Sequence, residues 1–197
     1  MSNYLTDRHF TDYIHQHVAI PTVYALLGWK EHKMDKDVLE KLDINKGIDY
    51  VFEKNGKLMT VQERFREHKY QNYSDFTVRY RRDGNYHLDR VKSEFYKIEA
   101  HYFTYGITNC NKYDLAICSQ FVKVAIIDLE KVFDKIDSGD IIIRNNGKRT
   151  CYIENGKLIC PIIPNRDGSS NFVPFDIPML IKLWGQDILI YSKGFID

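Results

Sequence analysis

The sequence lacks most of the features that would classify it quickly. Its four cysteines (Cys110, Cys118, Cys151 and Cys160) show no C-x-x-C spacing and no flanking histidine pair, which argues against a zinc site. No apolar stretch approaches the length needed to span a bilayer, and no signal peptide precedes the first helical pattern. The expected setting is therefore a reducing cytoplasm, with the cysteines as small buried hydrophobes and no membrane partner. An excess of one charge is missing too. The net charge of +1 neither requires nor excludes a nucleic-acid partner, so the distribution of charge has to decide. No linker or low-complexity segment divides the chain, and residues 1–197 read as one domain.

The densest information lies between Lys46 and Arg66, KGIDYVFEKNGKLMTVQERFR. Apolar residues alternate through Ile48, Tyr50 and Phe52 and again through Met59, Val61 and Phe65, the period of a strand. Asn55-Gly56 between the two runs tolerates positive φ and predicts a hairpin turn. Such a hairpin brings Asp49 beside Gln62, Glu63 and Arg64. A carboxylate inside an apolar run requires a reason, because burying it unpaired is costly. Six of the ten arginines fall between Arg64 and Arg90, so the neighbourhood is basic. Arg66, Arg79, Arg81 and Arg82 are the candidates for gripping nucleic-acid phosphates. The plainer alternative is a set of cross-strand salt bridges on a solvated sheet face.

This arrangement resembles the core of the PD-(D/E)XK nuclease superfamily, in which an Asp near one strand precedes a strand bearing acid-x-Lys. Asp49 matches the first element, Gln62 stands at the acid position and Arg64 at the lysine position, with Glu63 as a second candidate acid. The resemblance implies a restriction-endonuclease-like α/β fold, a three-layer sandwich with a central mixed sheet. It also implies Mg²⁺, with Mn²⁺ as a substitute, held by Asp49 and by Gln62 or Glu63. Arg64 would stabilise charge rather than take a proton, since a guanidinium stays protonated. On a regular strand Gln62 and Arg64 share a face while Glu63 points with Val61 and Phe65, and a β-bulge near Val61 would reverse that.

Elsewhere the pattern predicts a helix from Thr6 towards Gly28, ended by Pro21 and resumed at Thr22, and a short helix over Asp35 to Leu42. A strand follows at Phe76 to Arg82, turning at Asp83-Gly84. Lys92 to Ala100 reads as a helix whose Glu94, Lys97 and Glu99 form a solvated face, or in which Glu94 and Lys97 support the metal site. Strands are expected at Tyr102 to Thr108 and Phe121 to Ile127, and a helix capped by Asp128 runs to Ile136. The nuclease-like core thus covers about 1–136. A β-rich extension covers about 137–197, with further turns at Asn146-Gly147 and Asn155-Gly156. The expected function is Mg²⁺-dependent hydrolysis of DNA, with RNA as a second substrate, in a phage, mobile-element or defence nuclease that could act as a homodimer. The alternatives are a nuclease-like protein that binds nucleic acid without cutting it, or a structural or interaction protein.

Overall fold

A computed structural model of the chain describes residues 3–81, 93–166, 168 and 170–196. It is a mixed α/β protein built around a six-stranded central sheet. The sheet begins at β1 (Lys30–Glu31), β2 (Tyr50–Lys54) and β3 (Lys57–Arg66). The β2–β3 turn is the two-residue Asn55-Gly56 loop, with φ of 53° and 76°, and Lys54 pairs with Lys57 across it. This is the turn whose twist matches two antiparallel strands.

Next to β3, and parallel to it, runs β5 (Tyr102–Thr108). A parallel pair cannot be closed by a tight turn and needs a long crossover. Here the crossover contains β4 (Asp75–Arg81) and the one-turn helix α3 (Glu94–Lys97). Both cross the sheet face that carries Val51 and Phe103, because Phe76 and Val78 of β4 pack into the same core cluster. The sheet is completed by β6 (Phe121–Asp128) and, from the far end of the chain, β12 (Leu189–Lys193).

The opposite face is covered by α1 (Asn3–Ile14) and a π-helical run, His15–Tyr24. Their Phe10, Ile14, Val18 and Tyr24 pack on Phe52, Val61 and Phe65. Pro21 was expected to end the helix but lies inside the π-helical run. The wider i→i+5 turn tolerates the ring that an α-helix would reject.

On the crossover face lie two three-stranded sheets. One joins β10 (Ile163–Pro164) and β11 (Asn171–Asp176) to β4, and the other has the order β7 (Ile141–Arg144), β9 (Lys157–Pro161), β8 (Tyr152–Glu154). With them pack α4 (Leu129–Asp137) and α5 (Ile177–Trp184), whose Val132 and Leu180 are buried in the same core. The remaining helix, α2 (Lys36–Lys46), is capped by Asp35 and ends at Gly47 with φ 58°. Asp128 caps α4 through the Lys131 N–H, as its position suggested.

The strand expected over Phe76 to Arg82 is present as β4 and pairs with β11, about a hundred residues later, and two other expectations are corrected. The helix expected over Lys92 to Ala100 shrinks to the single turn α3. Cys110 and Cys118 are bridged across the loop after β5, while Cys151 and Cys160 are free and buried. Among the described residues no helix is long and apolar enough to cross a membrane. The Asp83-Gly84 turn lies outside the described residues.

Close packing between β5 and β6 depends on Gly106. A Cβ placed there would lie 2.4 Å from Cε1 of Phe121, a ring only 3% exposed. Gly106→Ala is expected to cost about 1–3 kcal/mol, the usual range for overpacking a filled core. Calorimetry should show a melting temperature several degrees lower, partly restored by adding Phe121→Leu. An unchanged melting temperature would mean that the ring moves aside freely.

Candidate functional site

β3 is straight through Val61, Gln62, Glu63 and Arg64, with no register shift against β2 or β5. Alternation therefore divides the polar cluster between two faces. Gln62 and Arg64 turn to the crossover face, and Glu63 turns beneath α1.

On the crossover face the organising group is Glu94, at the start of α3. Its Oε1 accepts from Nε2 of Gln62 at 2.8 Å and from Nη2 of Arg64 at 2.5 Å, and its Oε2 accepts from the Arg79 backbone N–H at 2.8 Å. Burial alone would raise the Glu94 pKa, but Arg64 and the Arg79 N–H outweigh it and hold the carboxyl below its ordinary range. The same pairing keeps the buried Arg64 guanidinium charged against the cost of burial. Arg64 also donates through Nη1 to the carbonyl of Thr77. Its donors are thus turned inward, which leaves it poorly placed to grip a phosphate.

Because Glu94 can only accept, Nε2 of Gln62 must be the end that faces it. Oε1 of Gln62 is left buried with no hydrogen-bond partner. Asp49, one residue before β2, donates its N–H to the carbonyl of Val61, the neighbour of Gln62, at 2.9 Å. Both residues line a cavity of about 370 Å³ whose rim includes Asp12, Asp43, Arg79 and Lys97. Asp49 Oδ2 accepts from the Glu63 N–H at 2.7 Å. Burial raises its pKa to about 7, the nearby Asp43 and Glu63 carboxylates adding to the rise, while the Glu63 N–H and Arg8 oppose it. Arg8 spans the rim, at 3.2 Å from both Asp12 and Asp43. Lys97 is occupied elsewhere, donating to the Asp43 and Ile44 carbonyls at the end of α2.

Glu63 belongs to a different cluster. His15 Nδ1 lies 2.9 Å from Glu63 Oε2, and the Tyr24 hydroxyl donates to Glu63 Oε1 at 2.5 Å. With that proton committed, the Tyr24 oxygen accepts from the Thr104 hydroxyl at 2.8 Å. His15 is fully buried, stacks on Tyr50 at 3.5 Å between ring centres, and has an unpartnered Nε2. Burial works against its charge, but Glu63 prevails and the pKa is raised.

Of the residues singled out in the sequence, the structure brings Asp49, Gln62 and Arg64 to one face and turns Glu63 to the other. Arg66 and Arg79 line an adjoining groove, Arg81 is the last residue of β4, and Arg82 lies outside the described residues. Sequence reasoning favoured a solvated face for Glu94, which instead joins β3, β4 and α3. Among the described residues no three His, Cys, Asp or Glu side chains converge as a metal site. A cation here would need the amide oxygen of Gln62. An unpartnered amide oxygen and a half-buried carboxylate on residues lining one cavity suit a hard, oxygen-seeking ion that keeps several waters.

Two outcomes are expected from these pKa shifts. The Asp49 carboxyl is raised above its ordinary 3.8, so the metal-free fold binds this proton more tightly than the unfolded chain. Stability is lost as pH rises from about 4 to about 7. In chelator, Asp49→Asn should therefore stabilise the protein above pH 7, by about 1–2 kcal/mol after discounting for solvent screening, and have no effect near pH 3. A melting curve showing the reverse sign would rule out a strained carboxylate. His15 shifts in the same direction but through its charged form, its pairing with Glu63 contributing most below pH 6.5 and fading as pH rises through the elevated value. Glu63→Gln should cost about 3 kcal/mol in urea unfolding at pH 6, and less at pH 9. A cost independent of pH would remove the charged pair from the account.

The chain matches no protein-family model, and neither a curated protein nor a solved structure matches it.

Proposed function

We propose that this protein is a metal-dependent phosphodiesterase acting on nucleic acid, a divergent relative of the restriction-endonuclease-like nucleases. One observation carries the reading. Gln62, whose buried Oε1 has no hydrogen-bond partner, lines the same cavity as Asp49, whose pKa is raised to about 7. Two oxygen donors, one of them poised to release a proton near neutrality, suit a hard divalent cation. The order of elements also supports it, since Asp49 precedes β2, Gln62-x-Arg64 lies on β3, and a crossover leads to a parallel strand.

In this reading Asp49 and Gln62 would hold Mg²⁺, or Mn²⁺ in its place, and the ion would supply water activation and charge neutralisation at phosphorus. The remaining work falls to the chain itself. Glu94 fixes the Gln62 amide through Nε2, which leaves Oε1 free to take a ligand. Arg64 locks Glu94 rather than contacting substrate. Arg79, exposed and in no ion pair among the described residues, takes over the charge-stabilising role that the sequence resemblance assigned to Arg64. A charged arginine can clamp a phosphate with two parallel hydrogen bonds.

A second reading, binding without cleavage, is favoured by one feature. Glu94, the other acid on this face, is taken up by Gln62, Arg64 and Arg79, and a single carboxylate holds Mg²⁺ weakly. Incubation of the purified chain with labelled DNA and RNA, in Mg²⁺, Mn²⁺ or chelator, separates the two. Divalent-dependent cleavage is expected, with Asp49→Ala reducing it to background while the fold stays cooperative. Gln62→Leu, which removes the amide oxygen, should weaken metal binding by roughly 10-fold or more, the scale of changes at such ligand positions, and lower cleavage. If the parent binds strands but does not cleave them, the binding reading replaces the enzymatic one.

A further inference from the structure

We infer that the groove leading away from Asp49 and Gln62 is a seat for single-stranded nucleic acid, with Tyr73 as a platform on which a base stacks. The inference rests on the proposed phosphodiesterase reading and adds the form of substrate that reaches the site.

The groove encloses about 730 Å³ and continues the Asp49 cavity, Arg64, Arg79 and Glu94 lining both. Its wall is the 3₁₀ turn His68–Tyr70 and the residues after it. Tyr70 is held between two cations, with the Arg66 guanidinium 5.4 Å and the Lys69 ammonium 5.2 Å from its ring centre. Tyr73 lies 6.0 Å from Tyr70, ring to ring, and is 57% exposed. A tyrosine held beside a braced neighbour, with its own face open to a basic groove, presents the surface that stacks on an unpaired base.

The charges point the same way. Lys69 is paired with Glu67, Lys112 with Asp7 and Arg64 with Glu94. Arg66 and Arg79 are in no ion pair among the described residues; of the other acids lining the groove, Glu63 is paired with His15, which leaves Asp75. Burial, with a contribution from Asp176, raises the Asp75 pKa and so disfavours its charge. The balance left to a ligand is cationic and spaced along the groove, which suits a phosphate backbone.

Recession of the site selects the form of the strand. Gln62 is 8% exposed, and Asp49 sits half-buried on the cavity floor. A flexible strand can bend a phosphate down to that floor while its bases turn to the tyrosine wall. A stacked duplex presents no free base face and would have to deform to reach as deep.

Fluorescence anisotropy with labelled oligo-dT, oligo-rU and a duplex of equal length, measured with the full chain in chelator, tests binding apart from cleavage. Both single strands should bind more tightly than the duplex, and their ratio distinguishes DNA from RNA as the source of the ligand. Tyr73→Ala should weaken single-strand binding about 5- to 100-fold, the range for losing one stacked base, and Tyr73→Trp should retain it. Tyr113→Ala, at a tyrosine 79% exposed on a different loop, should change nothing. Arg79→Gln should lower the slope of log affinity against log salt by about one phosphate. Duplex binding as tight as single-strand binding, or Tyr73→Ala within about twofold of the parent, overturns the inference. Because these readings are taken without metal, loss of cleavage in the Asp49 variants leaves them intact. Cleavage with unaltered Tyr73→Ala affinity would likewise sink this inference and spare the enzymatic reading.

Discussion

One carboxylate holds the working face together. Glu94 accepts hydrogen bonds from the Gln62 amide, the Arg64 guanidinium and the Arg79 backbone N–H, so three elements separated in sequence meet at two oxygen atoms. Burying such an acid alone would be prohibitive, and burying Arg64 alone equally so. Together they are tolerated because nearly every lone pair and donor is used. What remains unused is Gln62 Oε1, and it is unused because its own amide nitrogen is committed to Glu94. The unpaired acceptor is thus a direct result of the closed pairing beside it.

The two faces of β3 divide the labour. Beneath α1, Glu63 is fixed by His15 and Tyr24; above, Gln62 and Arg64 are fixed by Glu94. Asp49 bridges the two halves by accepting the Glu63 N–H, so the backbone of the strand itself orients the acid. This explains how a carboxylate can stay strained with a pKa near 7. Its position is set by a strand clamped from both sides rather than by its own most favourable solvation.

Local features were legible in the sequence. The Asn55-Gly56 hairpin, the alternation that sends Glu63 away from Gln62, and the Asp128 cap each depend on residues within a few positions of one another. Long-range features were not. Glu94 occupies a one-turn helix with no periodicity to announce burial, and only the crossover between parallel strands brings it to Gln62. The Phe76 strand reads like its neighbours, yet its partner lies near the other end of the chain. Pro21 carries a strong stop signal, and the π-helical turns that accommodate it have no sequence pattern of their own. The Cys110–Cys118 bridge likewise depends on a loop whose path spacing alone does not dictate.

The pairing of β4 with β11, and of β6 with β12, has a consequence for how the molecule comes into being. Both strands wait, during synthesis, for partners made much later, and such distant contacts form slowly. Until β11 emerges, one edge of β4 stands open and Thr77 and Arg79 have no fixed frame on which to present themselves to Arg64 and Glu94. A ribosome-bound chain could therefore complete its hairpin and first helix early while its cavity remained unformed. The cavity takes its final form only once β11 has paired with β4.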